Sequence, residues 1–339
     1  MRKEKFVLQW HLTHKCNLRC KHCYQDDYKN DLSLEVCKNI LLQFKNFIDK
    51  NNYKLHINFT GGEPFVEGNK EKLFKLMVAC DVLGLTYGIL SNGTLITKEI
   101  TKELKRCKNL KFVQMSLEGI PETNNSIRGK NNYKEVMKAV RLLNKAKIET
   151  MISFTIHEGN YKELKKLIWK CRLNGVKRFW TDRLVPIGGI DEYQKNGLNL
   201  ITTAHYKEVI DILEKELKLN WLGMKVHANR SLQFLSGSNE FYKCNAGDKL
   251  LVILADGTLL PCRRLPIVFG NLINNTLEEI LNSDNVKKFK EEISENNCKN
   301  CFWKEKCNGG AKCITYALKN SLKEKDVNCW HDYFFHEKI

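Results

Sequence analysis

The chain has 339 residues, of which 42% are hydrophobic, and a formal net charge of +17 at pH 7; this is the composition of a globular protein with room for one large and one smaller domain. No apolar run reaches the roughly 18 residues of a membrane span, and the basic N-terminus lacks the apolar core of a secretory signal. Fourteen cysteines in such a chain predict reduced thiols and metal ligands in the cytoplasm rather than disulfides.

The positive charge alone does not define a ligand. Lysine residues are scattered along the chain, and no basic stripe is interleaved with aromatic residues, so we do not expect nucleic-acid binding. An acidic protein partner fits the same charge, because a basic surface attracts it over several ångströms.

Three cysteines follow the first apolar, strand-like run in Cx3Cx2C spacing: Cys16, Cys20 and Cys23. Thiolates are the ligands that soft metals and iron–sulfur clusters select. A 4Fe–4S cluster held by three cysteines leaves one iron open to a ligand that is not protein. The alternative is a structural zinc site that His14 or His22 completes.

Strand-like and helix-like runs alternate six times along the first part of the chain. Strands are predicted at 6–12, 55–60, 86–91, 111–117, 149–156 and 178–184, and helices at about 33–51, 69–83, 132–145 and 161–173, with one more that Thr97 caps. This alternation predicts parallel βαβ units, too few for a closed eight-fold barrel. Ligands on such sheets bind at the carboxyl ends of the strands.

Unusual loops stand at these strand ends. They read Gly61-Gly62-Glu63-Pro64, Ser91-Asn92-Gly93-Thr94, Ser116-Leu117-Glu118-Gly119 and Ile127-Arg128-Gly129. Together with the CNLRCKHCY loop, and in this order, they resemble the motifs of the radical S-adenosylmethionine (SAM) enzymes. The resemblance implies an α/β fold, a partial (β/α)6 TIM-like barrel. It also implies that Cys16, Cys20 and Cys23 hold a 4Fe–4S cluster whose open iron chelates SAM.

The resemblance further implies a set of SAM contacts. They are Gly61, Gly62 and Glu63 at the amino group, Ser91, Asn92, Ser116 and Glu118 at the ribose and carboxylate, Arg128 at the carboxylate, His22 at the adenine, and Leu184 through its backbone. Two departures from the family pattern stand out: family members often carry Asp where Glu118 stands, and Asn124-Asn125 replaces a common His-Asp pair.

Seven more cysteines lie in roughly the last hundred residues. They are Cys244, Cys262, Cys298, Cys301, Cys307, Cys313 and Cys329. The turn Ala255-Asp256-Gly257-Thr258 between two apolar runs predicts a hairpin that brings the first two of them together. Two zinc ribbons are the alternative to iron–sulfur ligation for this set.

This pattern resembles the SPASM extension of peptide-modifying radical SAM enzymes. The resemblance implies one auxiliary 4Fe–4S cluster on Cys298, Cys301, Cys307 and Cys329, and another on Cys244, Cys262 and Cys313, with Asp248 a candidate for the missing ligand. Five residues between Cys307 and Cys313 depart from the usual three. We predict a barrel over 1–190, a helical bridging segment over 191–241 and a SPASM-type domain over 242–339.

Four cysteines remain: Cys37, Cys80, Cys107 and Cys171. Each lies in register with apolar neighbours on a predicted helix, as expected of thiols that pack in the core. A role as a hydrogen donor is the alternative for one of them.

The resemblance implies that SAM is cleaved reductively to a 5′-deoxyadenosyl radical, which takes a hydrogen atom from the substrate. The cofactors would be SAM and three 4Fe–4S clusters, and the catalytic acid or base would come from Asp248, Glu118 or Arg183. A ribosomally made peptide that receives a thioether or carbon–carbon crosslink is the expected substrate. The alternatives are a small cofactor intermediate and, least favoured, a zinc protein without catalysis.

Sulfatase-maturing relatives carry an acidic residue directly after the cysteine that matches Cys262, where this chain has Arg263. We therefore disfavour that activity. No separate leader-binding domain is expected before the first strand, so either the core binds the precursor peptide or a separate delivery protein presents it. A ferredoxin or flavodoxin is the expected reductant, and no membrane association is expected.

Overall fold

The alternating apolar runs form the strands that the sequence predicts. The structure, a computed structural model, describes residues 3–25, 31–239, 241–242, 244–295, 297–298 and 301–330. The strands in these ranges are β1 (Glu4–His11), β2 (Tyr53–Thr60), β3 (Thr86–Leu90), β4 (Leu110–Ser116), β5 (Thr150–Ile156), β6 (Arg178–Arg183), β7 (Lys225–His227), β8 (Leu250–Ile253), β9 (Thr258–Leu260) and β10 (Gly270–Asn271).

Helices connect the strands. They are α1 (Leu34–Lys50), α2 (Lys70–Val82), α3 (Lys98–Leu104), α4 (Pro121–Arg128), α5 (Asn132–Lys145), α6 (Leu164–Leu173), α7 (Ile190–Lys195), α8 (Thr203–Leu217), α9 (Leu277–Leu281), α10 (Asp284–Ser294), α11 (Lys304–Cys307) and α12 (Lys312–Lys319). Short α4, which carries Arg128 in its last turn, was not predicted. Within the described residues, no helix combines the length and the apolar character that crossing a bilayer requires.

The strands form one sheet in the order β10-β9-β8-β1-β2-β3-β4-β5-β6-β7. From β8 to β7 every neighbouring pair is parallel, while β9 pairs antiparallel with both β8 and β10. Because β1 to β6 are neighbours in chain order, successive right-handed crossovers place their helices on one face. The predicted α/β fold with an open, partial barrel is confirmed.

Capping side chains begin the helices where the sequence places them. The Ser33 hydroxyl accepts a hydrogen bond from the Val36 backbone N–H, 3.3 Å away, at the start of α1. The Thr97 hydroxyl does the same for the Ile100 N–H at the start of α3, also at 3.3 Å. Each cap satisfies a backbone donor that the first turn of a helix leaves unpaired.

Strand β1 shows how the sheet separates core from cavity. Phe6, Leu8 and Trp10 are fully buried on the helix side, whereas Val7, Gln9 and His11 alternate with them and line a cavity inside the barrel. This alternation follows from the two-residue period of a strand. The buried thiols of Cys37, Cys80 and Cys171 belong to the helix-side core, and half-buried Cys107 packs against it, as predicted for the four remaining cysteines.

The C-terminal region continues the sheet of the barrel. Strand β8 pairs parallel with β1, from Val7 opposite Leu250 to Trp10 opposite Ile253. The predicted hairpin is confirmed, since β8 and β9 are antiparallel and Gly257 in the turn has a positive φ of 86°. The division of the chain at residues 190 and 241 stays a prediction.

A buried ion pair ties the barrel to the last cysteine loop. At the end of β6, Arg183 donates two hydrogen bonds of 2.6 Å to the two carboxylate oxygens of Asp326. The same carboxylate accepts from the Ser231 hydroxyl at 2.8 Å and from the Ala311 N–H at 2.7 Å. A Cβ on Gly310 would lie 2.3 Å from the Asp326 Cβ, so the longer loop between Cys307 and Cys313 needs glycine there.

We expect Asp326→Asn to lower the free energy of unfolding by about 3 kcal/mol, because it leaves the buried Arg183 charge uncompensated. Anaerobic thermal denaturation of the reconstituted protein measures this as a lower melting temperature. Asp248→Asn is the matched control, since Asp248 is exposed on a turn. Equal melting temperatures for the Asp326 variant and the control would show that the pair does not stabilise the fold.

Candidate active site

The inward faces of the strands and the loops at their carboxyl ends surround a cavity of about 670 Å³. Cys16, Cys20 and Cys23 line it on the barrel side, and Cys244, Cys262 and Cys313 line it from the C-terminal region. The cavity is therefore a space that two sets of thiols share.

The first cysteine loop is held by backbone contacts with the loop after β2. The Gly62 N–H donates to the Thr13 carbonyl at 2.7 Å, and the Glu63 N–H donates to the Lys15 carbonyl at 2.8 Å. A Cβ on Gly62 would lie 2.2 Å from the Lys15 carbonyl oxygen, which no side chain permits. The glycines therefore allow this approach of two backbones, besides any closeness to a ligand. Asp31 adds a second anchor, since it accepts from the Thr13 hydroxyl at 2.6 Å.

Nitrogen donors surround the three sulfurs of the first loop. They are the Leu18 N–H, 3.4 Å from the Cys16 Sγ, the Gln25 N–H, 3.4 Å from the Cys23 Sγ, the Asn92 Nδ2, 3.7 Å from the Cys16 Sγ, and the Arg128 Nη1, 3.9 Å from the Cys20 Sγ. Hydrogen bonds to sulfur favour the thiolate and tune a cluster that it binds.

Burial raises the pKa of two thiols of the first loop, Cys16 and Cys20. Burial raises the pKa of Cys20 to about 11, and the nearby Cys23 and Cys16 raise it further. Among the described residues, no three His, Cys, Asp or Glu side chains converge closely enough to hold a single metal ion. A 4Fe–4S cluster binds each thiolate through a different iron, so its ligands surround a volume instead of a point. Three thiols with N–H donors around them fit such a cluster.

Glu63 lies behind the cavity wall and organises the turn after β3. Its carboxylate is fully buried and accepts hydrogen bonds from the Ser91 hydroxyl at 2.8 Å, the Asn92 N–H at 2.6 Å and the Phe65 N–H at 3.2 Å. Burial raises the pKa of Glu63 to about 7, although these donors stabilise the carboxylate. Through this residue the loop after β2 positions the Ser91-Asn92 turn.

Glu118 and Arg128 form a second buried pair at the cavity. The Arg128 Nε and Nη2 donate to the Glu118 Oε1 at 3.0 and 2.5 Å. Although burial opposes ionisation, Arg128 holds the pKa of Glu118 below its usual range. His22 stands 3.5 Å from the same oxygen, and burial lowers the pKa of His22 to about 4, so its imidazole is neutral. A neutral ring is suited to stacking against a base.

The remaining cysteines fall into two groups. Burial raises the pKa of Cys244 and of Cys313, and the neighbouring Cys262 raises both further. The Tyr242 hydroxyl bonds to the Cys244 thiol. The other four line a separate small apolar cavity with Phe234 and Trp303: Cys298, Cys301, Cys307 and Cys329. This partition is the one that the sequence predicts for two auxiliary clusters.

Comparison with known families decides the class of protein. A sequence profile of the radical SAM superfamily matches residues 10–170, and a profile of the SPASM iron–sulfur cluster-binding domain matches residues 244–302. The chain belongs to the radical SAM superfamily. It is an enzyme of the SPASM subgroup, with SAM and 4Fe–4S clusters as cofactors, and the thiol groups described above are the candidates to hold those clusters.

Curated relatives come from two kinds of biosynthesis. The antilisterial bacteriocin subtilosin biosynthesis protein AlbA of Bacillus subtilis is 29% identical over 94% of this chain and 69% of its own length. The sporulation killing factor maturation protein SkfB of the same species is 27% identical over 85% of this chain and 67% of its own. The AdoMet-dependent heme synthase of Methanosarcina barkeri is 24% identical over 95% of both chains.

Solved structures show the same fold. Streptococcus suis SuiB bound to S-adenosylmethionine has a TM-score of 0.76 at 20% identity, over 96% of this chain and 77% of its own. The enzyme anSMEcpe with bound AdoMet and a Cp18Cys peptide has a TM-score of 0.77 at 22% identity, over 98% of this chain and 97% of its own.

In this radical SAM enzyme, most predicted SAM contacts line the cavity. They are His22, Gly61, Gly62, Ser91, Asn92, Ser116, Arg128 and Leu184. Glu63 and Glu118 lie one layer behind, each occupied by protein donors, and we assign them positioning roles. The assignment of each residue to a part of SAM stays a prediction.

The three acid–base candidates lie in different surroundings. Asp248 is exposed on a turn and is not among the residues that line the cavity. Glu118 is engaged by Arg128 and by the Thr155 N–H at 2.8 Å. Arg183 lines the cavity, but its guanidinium is held by Asp326. The role of any of the three as acid or base stays a prediction.

The sequence analysis missed a charged group on the same wall. Asp182, Arg230 and Arg264 line the same cavity as the two sets of thiols. The alternation of β6 carries part of the signal, since Trp180 and Asp182 share the face that points inward. The two arginines come from irregular segments that no motif marks.

We expect Glu63→Gln to remove a pH dependence of stability. The folded pKa of Glu63, about 7, exceeds the ordinary value of 4.5. The wild-type contribution is therefore greatest below pH 4.5 and is lost as the pH rises through 7, by roughly 3 kcal/mol over this window. Denaturant unfolding of the cluster-free chain at pH 5 and pH 8 measures the wild type against the variant. A difference that does not change with pH would contradict this, and Glu67→Gln, which alters an exposed carboxyl, is the control.

Proposed function

We propose that this radical SAM enzyme modifies a ribosomally made peptide and installs a thioether or carbon–carbon crosslink in it. The observation that carries the proposal is the shared cavity. Cys16, Cys20 and Cys23 on one wall and Cys244, Cys262 and Cys313 on another face the same 670 Å³. A substrate in this space lies within reach of both groups of ligands.

The residues of the barrel side would hold the cofactors. When bound, SAM and its cluster supply the 5′-deoxyadenosyl radical that removes hydrogen from a substrate carbon. Arg128 offers its charge to a carboxylate, since Glu118 fixes its orientation. Neutral His22 offers its ring, and the Ser91-Asn92 turn, held by Glu63, offers polar groups.

Apolar side chains form part of the cavity wall. Leu90, Phe112, Phe154 and Trp180 line it, and the Trp180 indole is fixed by a hydrogen bond of 3.0 Å to the Gln114 side chain. Such a wall excludes water from a reactive intermediate and holds the substrate carbon in place.

The auxiliary thiols favour the thioether. Among the described residues of the cavity wall, no further cysteine of the C-terminal region joins Cys244, Cys262 and Cys313. Asp248, the predicted fourth ligand, lies outside the wall. We therefore propose that a substrate cysteine takes the remaining place, because iron prefers thiolate ligands.

The relatives support a peptide substrate. AlbA and SkfB serve subtilosin biosynthesis and sporulation killing factor maturation, and SuiB has been solved with the precursor peptide SuiA. The heme synthases favour a second candidate, an iron tetrapyrrole, since they match this chain over nearly its whole length. AlbA ranks the peptide first, because it matches 94% of this chain at 29% identity, whereas the Fe-coproporphyrin III synthase of Methanosarcina barkeri has the same identity over 65%.

Partners and location are part of the proposal. The net charge of +17 supports an acidic one-electron carrier, a ferredoxin or flavodoxin, as the reductant. A separate protein that delivers the precursor peptide is compatible with the same charge. The fourteen cysteines support the reducing cytoplasm as the place of action.

We expect replacement of Cys16, Cys20 and Cys23 together by Ala to abolish formation of 5′-deoxyadenosine. The iron content of the anaerobically reconstituted protein should fall from about twelve to about eight per chain, because the other ligands lie elsewhere. Iron analysis and chromatography with dithionite as reductant measure both. Cys107→Ala, which changes a half-buried helix thiol, is the control and keeps both values. Formation of 5′-deoxyadenosine by the triple variant would refute the ligand assignment.

For the substrate, we expect a cysteine-containing precursor peptide encoded beside the gene to lose two hydrogen atoms, with 5′-deoxyadenosine released. Mass spectrometry of the peptide and its fragments measures the loss and locates the crosslink. An Fe-coproporphyrin III reaction under the same conditions tests the second candidate and should give no product. Turnover of the porphyrin without turnover of the peptide would reverse the ranking.

A further inference from the structure

One carboxylate and two guanidinium groups meet in the wall of the cavity. Asp182 lies near the end of β6, Arg230 follows β7, and Arg264 follows β9. The Arg264 Nη1 donates to the Asp182 Oδ2, and the Arg230 Nε lies 3.5 Å from the same oxygen. Although burial opposes ionisation, the two arginines hold the pKa of Asp182 below its usual range. The group therefore carries one positive charge in excess.

The rest of the cavity does not balance this charge. Among the described residues, Asp182 is the only carboxylate that lines the cavity. Arg263 adds a further cation, and its Nη2 donates to the Tyr24 carbonyl at 2.8 Å. Within the described part of the chain, the Nε atoms of Arg230 and Arg263 have no hydrogen-bond partner.

Arg230 and Arg264 differ in their surroundings. Arg264 interacts electrostatically with Cys262 and Cys313, so thiolates at these positions would partly match its charge. Arg230 stands on the barrel side, with its guanidinium carbon 4.3 Å from the centre of the Trp180 ring. Its side chain is 36% exposed, against 11% for Asp182, and it lines the cavity. The contacts with Trp180 and Asp182 restrain the guanidinium.

We propose that Arg230 binds a carboxylate of the peptide substrate inside the cavity, with Asp182 as its positioning residue. This rests on the proposed function and names a chemical requirement of the substrate. A planar guanidinium donates two parallel hydrogen bonds to the two oxygens of a carboxylate. The carboxylate is an acidic side chain or the C-terminus of the peptide.

Binding of small probes to the SAM-loaded holoenzyme tests this by anaerobic equilibrium dialysis. The probes are N-acetylglutamate methylamide, the neutral N-acetylglutamine methylamide, and N-acetylalanine, which carries only a terminal carboxylate. We expect one of the acids to bind about tenfold more tightly than the neutral amide. The tighter acid identifies the source of the carboxylate. Equal binding of all three probes would overturn the proposal.

Variants assign the effect to Arg230. Arg230→Gln should remove the preference for the acid, Arg230→Lys should keep part of it, and Lys249→Gln, which changes another cavity cation, should keep all of it. Preference retained by Arg230→Gln overturns the assignment. If Arg230→Gln fails to bind its iron, Arg230→Lys is the deciding variant. An undiminished preference of Arg230→Lys for the acid would show that the planar guanidinium is not required. If the enzyme modifies the peptide but shows no preference for the acid, only this inference is wrong. If it does not cleave SAM, the proposed function is wrong as well.

Discussion

The site depends on one close approach of two backbones. The first cysteine loop lies against the end of β2 through the hydrogen bonds from Gly62 to Thr13 and from Glu63 to Lys15. A side chain at position 62 would occupy the place of the Lys15 carbonyl. Because this contact sets the loop over the barrel, the three thiols face the cavity and the Ser91-Asn92 turn reaches one of them.

Two buried ion pairs stabilise the two sides of the cavity. Glu118 holds Arg128 beside the Cys20 thiol, and Asp326 holds Arg183 between β6 and the last cysteine loop. In each pair the carboxylate also accepts backbone N–H groups, so its burial is compensated. The first pair orients Arg128 on the barrel side of the cavity. The second holds the C-terminal region on the other side. Both regions therefore form the cavity, and the pairing of β1 with β8 joins them in one sheet.

Much of this was present in the sequence. The strands and helices of the barrel follow from apolar periodicity and from caps such as Ser33 and Thr97, because these act within one turn or one strand. The Cx3Cx2C spacing marks the first set of cysteines, and the resemblance to the SPASM extension implies the two auxiliary sets. The resemblance to radical SAM enzymes rests on short motifs at strand ends, and the fold and family are confirmed.

Tertiary structure decided what depends on contacts between distant segments. The pairing of β8 with β1 joins residues far apart in the chain, and no local pattern specifies it. Asp248 turned outward and Asp182 inward, because the side that a residue faces depends on how its segment packs, which composition does not reveal. The charged group of Asp182, Arg230 and Arg264 comes from three separate segments. The sequence by itself therefore determined the elements and the cofactor chemistry, whereas folding determined which charges meet the substrate, since electrostatic contact is a matter of distance in space.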